Sequence, residues 1–142
     1  PGRLQQIKFG PLMECLSTGW EIWIDGGHNS AAGMILAQQA RIWSDRPLFA
    51  ILGMIKTKNP GAFVAPLCPY LAGIMTVEIE AEESTIKARE LALLVSEKGL
   101  RATPMPSIKV AIEKLMMLSL RPARVLICGS LYLAGQVLDK HN

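Results

Sequence analysis

Two short segments of this chain carry side chains whose types and spacing suit chemistry. In Ile24-Asp25-Gly26-Gly27-His28-Asn29 a carboxylate, two glycines and an imidazole follow an apolar run. In Cys128-Gly129-Ser130-Leu131-Tyr132 a glycine and a hydroxyl follow another. A carboxylate at a strand tip accepts hydrogen bonds from hydroxyl or amino groups, and glycines let a ligand come close to the backbone. A histidine or serine at a helix start can donate to an anion where the helix dipole also favours negative charge. Each segment has a plainer explanation as well. Asp25 can be an exposed loop carboxylate, Asn29 and Ser130 ordinary N-caps, and the glycines turn residues. Spacing by itself leaves both explanations open. Neither segment is a GxGxxG fingerprint and the chain has no GxxxxGK[ST] phosphate loop, which disfavours a self-sufficient nucleotide triphosphatase or dehydrogenase.

The elements around these segments alternate. Trp20 to Ile24 reads as a strand and Asn29 to Trp43 as a helix, meeting at Gly26-Gly27. Leu48 to Leu52 is a short apolar run between Pro47 and Gly53, the pattern of a fully buried strand. A short helix is predicted over Gly61 to Leu71, interrupted by Pro66 and Pro69, and a strand over Gly73 to Ile79. Ser84 to Lys98 places Ala88, Leu91, Ala92 and Val95 on one face of a helix that Gly99 ends. A brief strand near Leu100 to Thr103 leads to Ser107, which can cap a helix with Ile108, Ala111, Ile112, Leu115 and Met116 on its apolar face. Val125 to Cys128 is a last buried strand and Leu131 to Lys140 a closing helix. Strand and helix in alternation predict an α/β fold with right-handed crossovers and a mainly parallel sheet covered on both faces. In such a sheet ligands bind beyond the carboxyl ends of the strands, where both chemical segments fall.

A length of 142 residues fits one domain, 1–142, with residues 1–19 expected as a linker or an edge hairpin. The chain starts at Pro1 with no signal-peptide pattern, so a fragment of a longer protein is the simpler expectation. Half of the residues are hydrophobic, yet the longest apolar run, Leu48 to Ile55, is far too short to span a membrane. Cys15, Cys68 and Cys128 are odd in number and widely spaced, which supports neither a disulfide framework nor a zinc site and fits a reducing cytoplasm. The net charge of +3 is scattered in single lysines such as Lys87, Lys98 and Lys114, so nucleic acid is not an expected partner.

Four segments then make a specific pattern. Pro1-Gly2-Arg3-Leu4-Gln5, Asp25-Gly26-Gly27-His28-Asn29, Leu52-Gly53-Met54-Ile55-Lys56-Thr57-Lys58 and Cys128-Gly129-Ser130-Leu131-Tyr132-Leu133 occur in this order along the chain. In order and spacing they resemble the C-terminal domain of bacterial folylpolyglutamate synthase/dihydrofolate synthase, within the superfamily of the Mur peptide ligases. The resemblance implies a Rossmann-like domain of an ATP- and magnesium-dependent ligase of folate biosynthesis. Such an enzyme phosphorylates a pterin-linked carboxylate, in dihydropteroate or a reduced folate, and L-glutamate attacks the acyl phosphate to form an amide.

The same resemblance places the phosphate loop and the Mg2+ ligands in an N-terminal ATPase domain outside this chain. It implies no catalytic residue or metal site here, nucleotide contacts from Arg3 and Asp25, and glutamate contacts from His28 and Ser130. The family often has Asp-Gly-Ala-His-Asn followed by proline where this chain has Ser30, and Lys-Asp where it has Lys58-Asn59. An amide at position 59 keeps polar contacts and loses any role that needs charge. Two other functions are weighed beside the ligase domain: a non-catalytic Rossmann-like binding or assembly domain, and a Mur-type ligase domain for another amino acid.

Overall fold

The computed structural model describes residues 3–141, so Pro1 and Gly2 of the first signature and Asn142 of the expected domain lie outside the described residues. The strands are β1 (Gln5–Ile7), β2 (Glu21–Ile24), β3 (Leu48–Leu52), β4 (Gly73–Thr76), β5 (Ala102–Pro104) and β6 (Arg124–Cys128). The helices are α1 (Pro11–Glu14), α2 (Ser30–Ile42), α3 (Pro60–Val64), α4 (Ala88–Ser96), α5 (Ile108–Leu118) and α6 (Leu131–His141). One sheet has the order β1-β2-β6-β3-β4-β5. β2, β6, β3, β4 and β5 run parallel, and β1 pairs antiparallel to β2 with Gln5 opposite Ile24. The α/β fold with a mainly parallel sheet is as expected.

Alternation along the strands sorts the core into two layers. Ala50, Leu52, Leu126 and Cys128 face Leu36 of α2, Phe63 and Val64 of α3, and Leu91 and Val95 of α4. Ile22, Ile24, Ile51, Val125 and Ile127 face Ile112 and Leu115 of α5 and Leu133 and Val137 of α6. The split follows from handedness. The chain moves one way across the sheet from β2 through β3 and β4 to β5, so right-handed crossovers keep α2, α3 and α4 on one face. It reverses from β5 to β6, which puts α5 on the other.

Three elements depart from the sequence prediction by more than two residues at a boundary. β4 stops at Thr76 rather than Ile79, because its neighbours β3 and β5 end at Leu52 and Pro104 and leave no ladder partner. Val77 and Ile79 stay buried, which is why the apolar pattern runs on. α4 begins at Ala88 rather than Ser84, since residues 84–86 are drawn into extended pairing with the loop after β3. Lys56 N–H donates to the Ser84 carbonyl, Ile86 N–H donates to the Met54 carbonyl, and Thr85 Oγ1 accepts Ile79 N–H. The predicted helix from Gly61 to Leu71 is α3 plus a separate 3-10 turn at Cys68–Tyr70, divided by the prolines.

A polar cluster at the amino ends of the strands went unseen in the sequence. Arg124 is 5% exposed, pairs with Glu21 at 2.8 Å and Asp45 at 3.0 Å, and stacks 4.7 Å over Trp43. Burial opposes ionisation of Glu21. Hydrogen bonds from Arg124 and Trp23, with the charges of Arg124 and Arg46, outweigh it and hold the carboxyl below its ordinary range.

Candidate functional site

Because β6 inserts between β2 and β3, the loops after these three strands meet at the carboxyl edge of the sheet. Asp25 N–H donates to the Ile127 carbonyl at 3.0 Å, and Gly53 N–H donates to the Cys128 carbonyl at 3.2 Å. The three strand tips are thus level. α2 and α3 leave toward one face and α6 toward the other, so a crevice opens where the helices diverge.

A cleft of about 340 Å³ lies there, lined by His28, Ile55, Lys58, Ser130, Leu131 and Tyr132 above the Gly129 turn. It brings together His28 and Ser130, which the sequence separates by most of the chain. Arg3 and Asp25 do not line it.

Ser130 is 3% exposed and caps α6, its Oγ accepting Tyr132 N–H at 3.0 Å and Leu133 N–H at 3.4 Å. The N-cap explanation therefore holds for its oxygen, while its hydroxyl proton remains a donor that can point into the cleft. Asn29 caps α2 by accepting Ala32 N–H at 2.9 Å. Two helix N-termini therefore point toward the crevice. Gly129, with φ +106°, makes the turn between β6 and α6. A Cβ there would sit 2.7 Å from the Gly53 carbonyl oxygen and 2.8 Å from Met54, so only glycine fits.

Asp25 is 8% exposed, which rules out an exposed loop carboxylate. Its Oδ1 accepts Leu4 N–H and its Oδ2 accepts Gly27 N–H, each at 2.8 Å. Arg3, adjacent to Leu4, is exposed beside this strand tip. Burial, and then the charge of Asp25, push the Cys128 thiol well above its ordinary range, so it stays protonated and is no nucleophile.

Lys58 and Tyr132 are cleft residues that the sequence reading did not assign. The strand-tip rule would have found Lys58 had β3 been known to adjoin β6, since its loop then joins the site. Asn59 caps α3 by accepting Ala62 N–H at 3.1 Å, a contact that needs a side-chain oxygen and no charge.

The cleft lining contains a lysine, a histidine and a serine hydroxyl but no carboxylate, a donor set for an anion. A smaller cleft of about 140 Å³ on the α5–α6 face holds Glu78, Glu80, Ser107 and Lys140. There Glu80 pairs with Lys140 at 3.6 Å and Glu78 with Lys87 at 3.7 Å. Among the described residues no three metal-ligating side chains gather, and no helix is long and apolar enough to cross a membrane.

No protein-family model matches the chain, and no curated protein matches it in sequence. Solved structures do match its fold. A Mycobacterium tuberculosis folylpolyglutamate synthase complexed with ADP superposes with a TM-score of 0.80 at 22% identity, over 98% of this chain and 32% of that one. A bifunctional folylpolyglutamate synthase/dihydrofolate synthase with Mn, AMPPNP and L-glutamate bound gives 0.71 at 19% identity, over 98% and 31%. E. coli FolC in complex with DHPP and ADP gives 0.72 at 19% identity, over 87% and 29%. The chain thus shares the fold of one part of these proteins and spans 29–32% of their length.

Proposed function

We propose that this chain is the C-terminal domain of a folylpolyglutamate synthase/dihydrofolate synthase, a cytoplasmic ATP-dependent ligase that adds L-glutamate to dihydropteroate or reduced folates. The observation that carries this is the donor-lined cleft at the strand tips, where His28, Ser130 and Lys58 meet on the fold of such enzymes. The four sequence signatures support the same assignment.

In the assembled enzyme, ATP and Mg2+ held by the N-terminal ATPase domain supply the phosphoryl transfer that activates the pterin-linked carboxylate. The present chain has no metal-ligating cluster among its described residues. Its part is positioning. His28, the Ser130 hydroxyl and the Lys58 ammonium hold the carboxylates of glutamate, which leaves the amino group to approach the acyl carbon. Arg3 pairs with nucleotide phosphate oxygens from the neighbouring strand tip, where a planar guanidinium matches phosphate geometry. Asp25 belongs to the nucleotide side with Arg3.

The longer protein containing this chain tests the proposal. With ATP and Mg2+ it should join L-glutamate to dihydropteroate, to a reduced folate, or to both, releasing ADP and phosphate. The isolated 142-residue chain should fold and add no glutamate, because both substrates must be held in one closed cleft. A longer protein inactive on every pterin acceptor, or an isolated chain that ligates glutamate, would overturn it.

A further inference from the structure

We propose that Asp25 is a positioning residue that couples the nucleotide and acceptor sides of the site, fixing Arg3 with one carboxylate oxygen and His28 with the other. The inference rests on the roles assigned above to Arg3 and His28. Its geometry is independent of them.

Oδ1 accepts the N–H of Leu4, the residue after Arg3, and Oδ2 accepts the N–H of Gly27, the residue before His28. Both bonds are 2.8 Å long and Asp25 is 8% exposed, so both oxygens are committed to backbone donors in a setting poor in water. The carboxylate itself is anchored, because Asp25 N–H extends the β2–β6 ladder to the Ile127 carbonyl.

The two ends of the clasp differ in kind. At Leu4 the side chain of Asp25 takes over where the β1–β2 register ends, one residue beyond the Gln5–Ile24 pair. It ties the approach of the chain to the tip of β2. At Gly27 the turn is drawn hard onto the carboxylate. A Cβ at that position would lie 2.8 Å from Oδ2 and 2.5 Å from Ala32 Cβ, so a glycine is what allows the turn to close on it. His28 follows at the rim of the cleft and Asn29 starts α2. One buried anion thereby sets the spacing between an arginine outside the cleft and a histidine lining it.

A carboxylate suits this task where an amide does not. Two inward-facing N–H groups need two acceptors, and asparagine offers one acceptor and one donor, so one of the two contacts becomes N–H against N–H. A residue that only touched nucleotide would behave differently, since its loss would leave the acceptor side unchanged.

The test is a double-mutant cycle in the longer ligase containing this chain, with Michaelis constants for ATP and for glutamate measured in parallel. Asp25→Asn should raise both constants by about threefold to tenfold. Added to Arg3→Ala it should cost ATP use no more than the more severe single change, and added to His28→Ala it should behave likewise for glutamate. Amide hydrogen exchange at Leu4 and Gly27 should accelerate in the same variant while the core amides keep their protection. Asp25→Ser, which keeps one acceptor on a smaller side chain, carries the same cycle if Asp25→Asn fails to fold. An effect confined to ATP and additive with Arg3→Ala, or unchanged exchange at both amides, overturns the coupling. Failure of the functional assignment is separate: the unaltered ligase would then add no glutamate, and the exchange measurement would still decide whether the clasp exists.

Discussion

Ser130→Ala separates the two duties of one hydroxyl. The oxygen accepts the N–H groups of Tyr132 and Leu133, at 3.0 and 3.4 Å, which are otherwise orphan donors in the first turn of α6. Ser130 is almost fully buried, so water does not readily replace it. Loss of an N-cap acceptor costs about 1 kcal/mol and up to about 2 kcal/mol. For a domain of this size that lowers Tm by roughly 3–6 °C. The role proposed for the hydroxyl proton lies in the cleft, where a hydrogen bond to a charged glutamate carboxylate is worth about 1.5–3 kcal/mol. Its removal should reduce kcat/KM for glutamate by roughly tenfold to a hundredfold while leaving ATP parameters near those of the unaltered enzyme. Ser130→Thr retains an acceptor and a donor and should recover most of both losses. Thermal melts and glutamate titrations on the same preparations read the two effects independently. A lowered Tm with unchanged glutamate kinetics would reduce Ser130 to a helix cap, and an unchanged Tm would refute the capping contribution.

His28→Ala and Lys58→Met should each raise the glutamate KM more than the ATP KM; equal effects on both substrates in steady-state titrations would remove them from the acceptor site. Arg3→Ala should impair ATP use, and Arg3→Lys should remain impaired because an ammonium lacks the guanidinium fork; normal ATP kinetics in both variants would exclude Arg3 from the nucleotide contacts. Arg124→Ala should cost about 1.5–3 kcal/mol in denaturant unfolding, since it removes the 2.8 Å charged hydrogen bond to partly buried Glu21 and leaves that carboxylate to Arg46 and Trp23. The folded-state pKa of Glu21 lies below its ordinary value of 4.5, so its contribution is fully present above that value and is lost as pH falls through the lowered one. The stability of the unaltered chain should therefore fall with acid below about pH 4.5, more steeply than that of Arg124→Met, and parallel acid limbs would contradict the role of this pair.

The sequence by itself determined the class of fold and most elements, because those follow from short-range pattern. Apolar runs such as Leu48 to Leu52 and Val125 to Cys128 read as buried strands, and the spacing of Leu91, Ala92 and Val95 read as one face of a helix. Asn29 and Ser107 announced helix starts by a local bond, from side chain to the backbone three residues on, which needs no partner from elsewhere. The roles proposed for Arg3, Asp25, His28 and Ser130 rest on four signatures in register, since local spacing left them open.

Tertiary structure decided what those residues face. Only the insertion of β6 between β2 and β3 sets Ser130 beside His28 and brings Lys58 into the same cleft. Only the return of the chain along the edge of β2 brings Leu4 to Asp25 and buries a carboxylate that reads locally as a loop residue. Arg124 likewise looks like an ordinary strand-end charge until Glu21, Asp45 and Trp43 close around it. The physical reason is range. Strand propensity and helix capping depend on neighbours within a few residues, whereas strand order is set by crossover handedness and by which apolar faces pack, contacts that close long loops and leave no periodic trace in the residues they join.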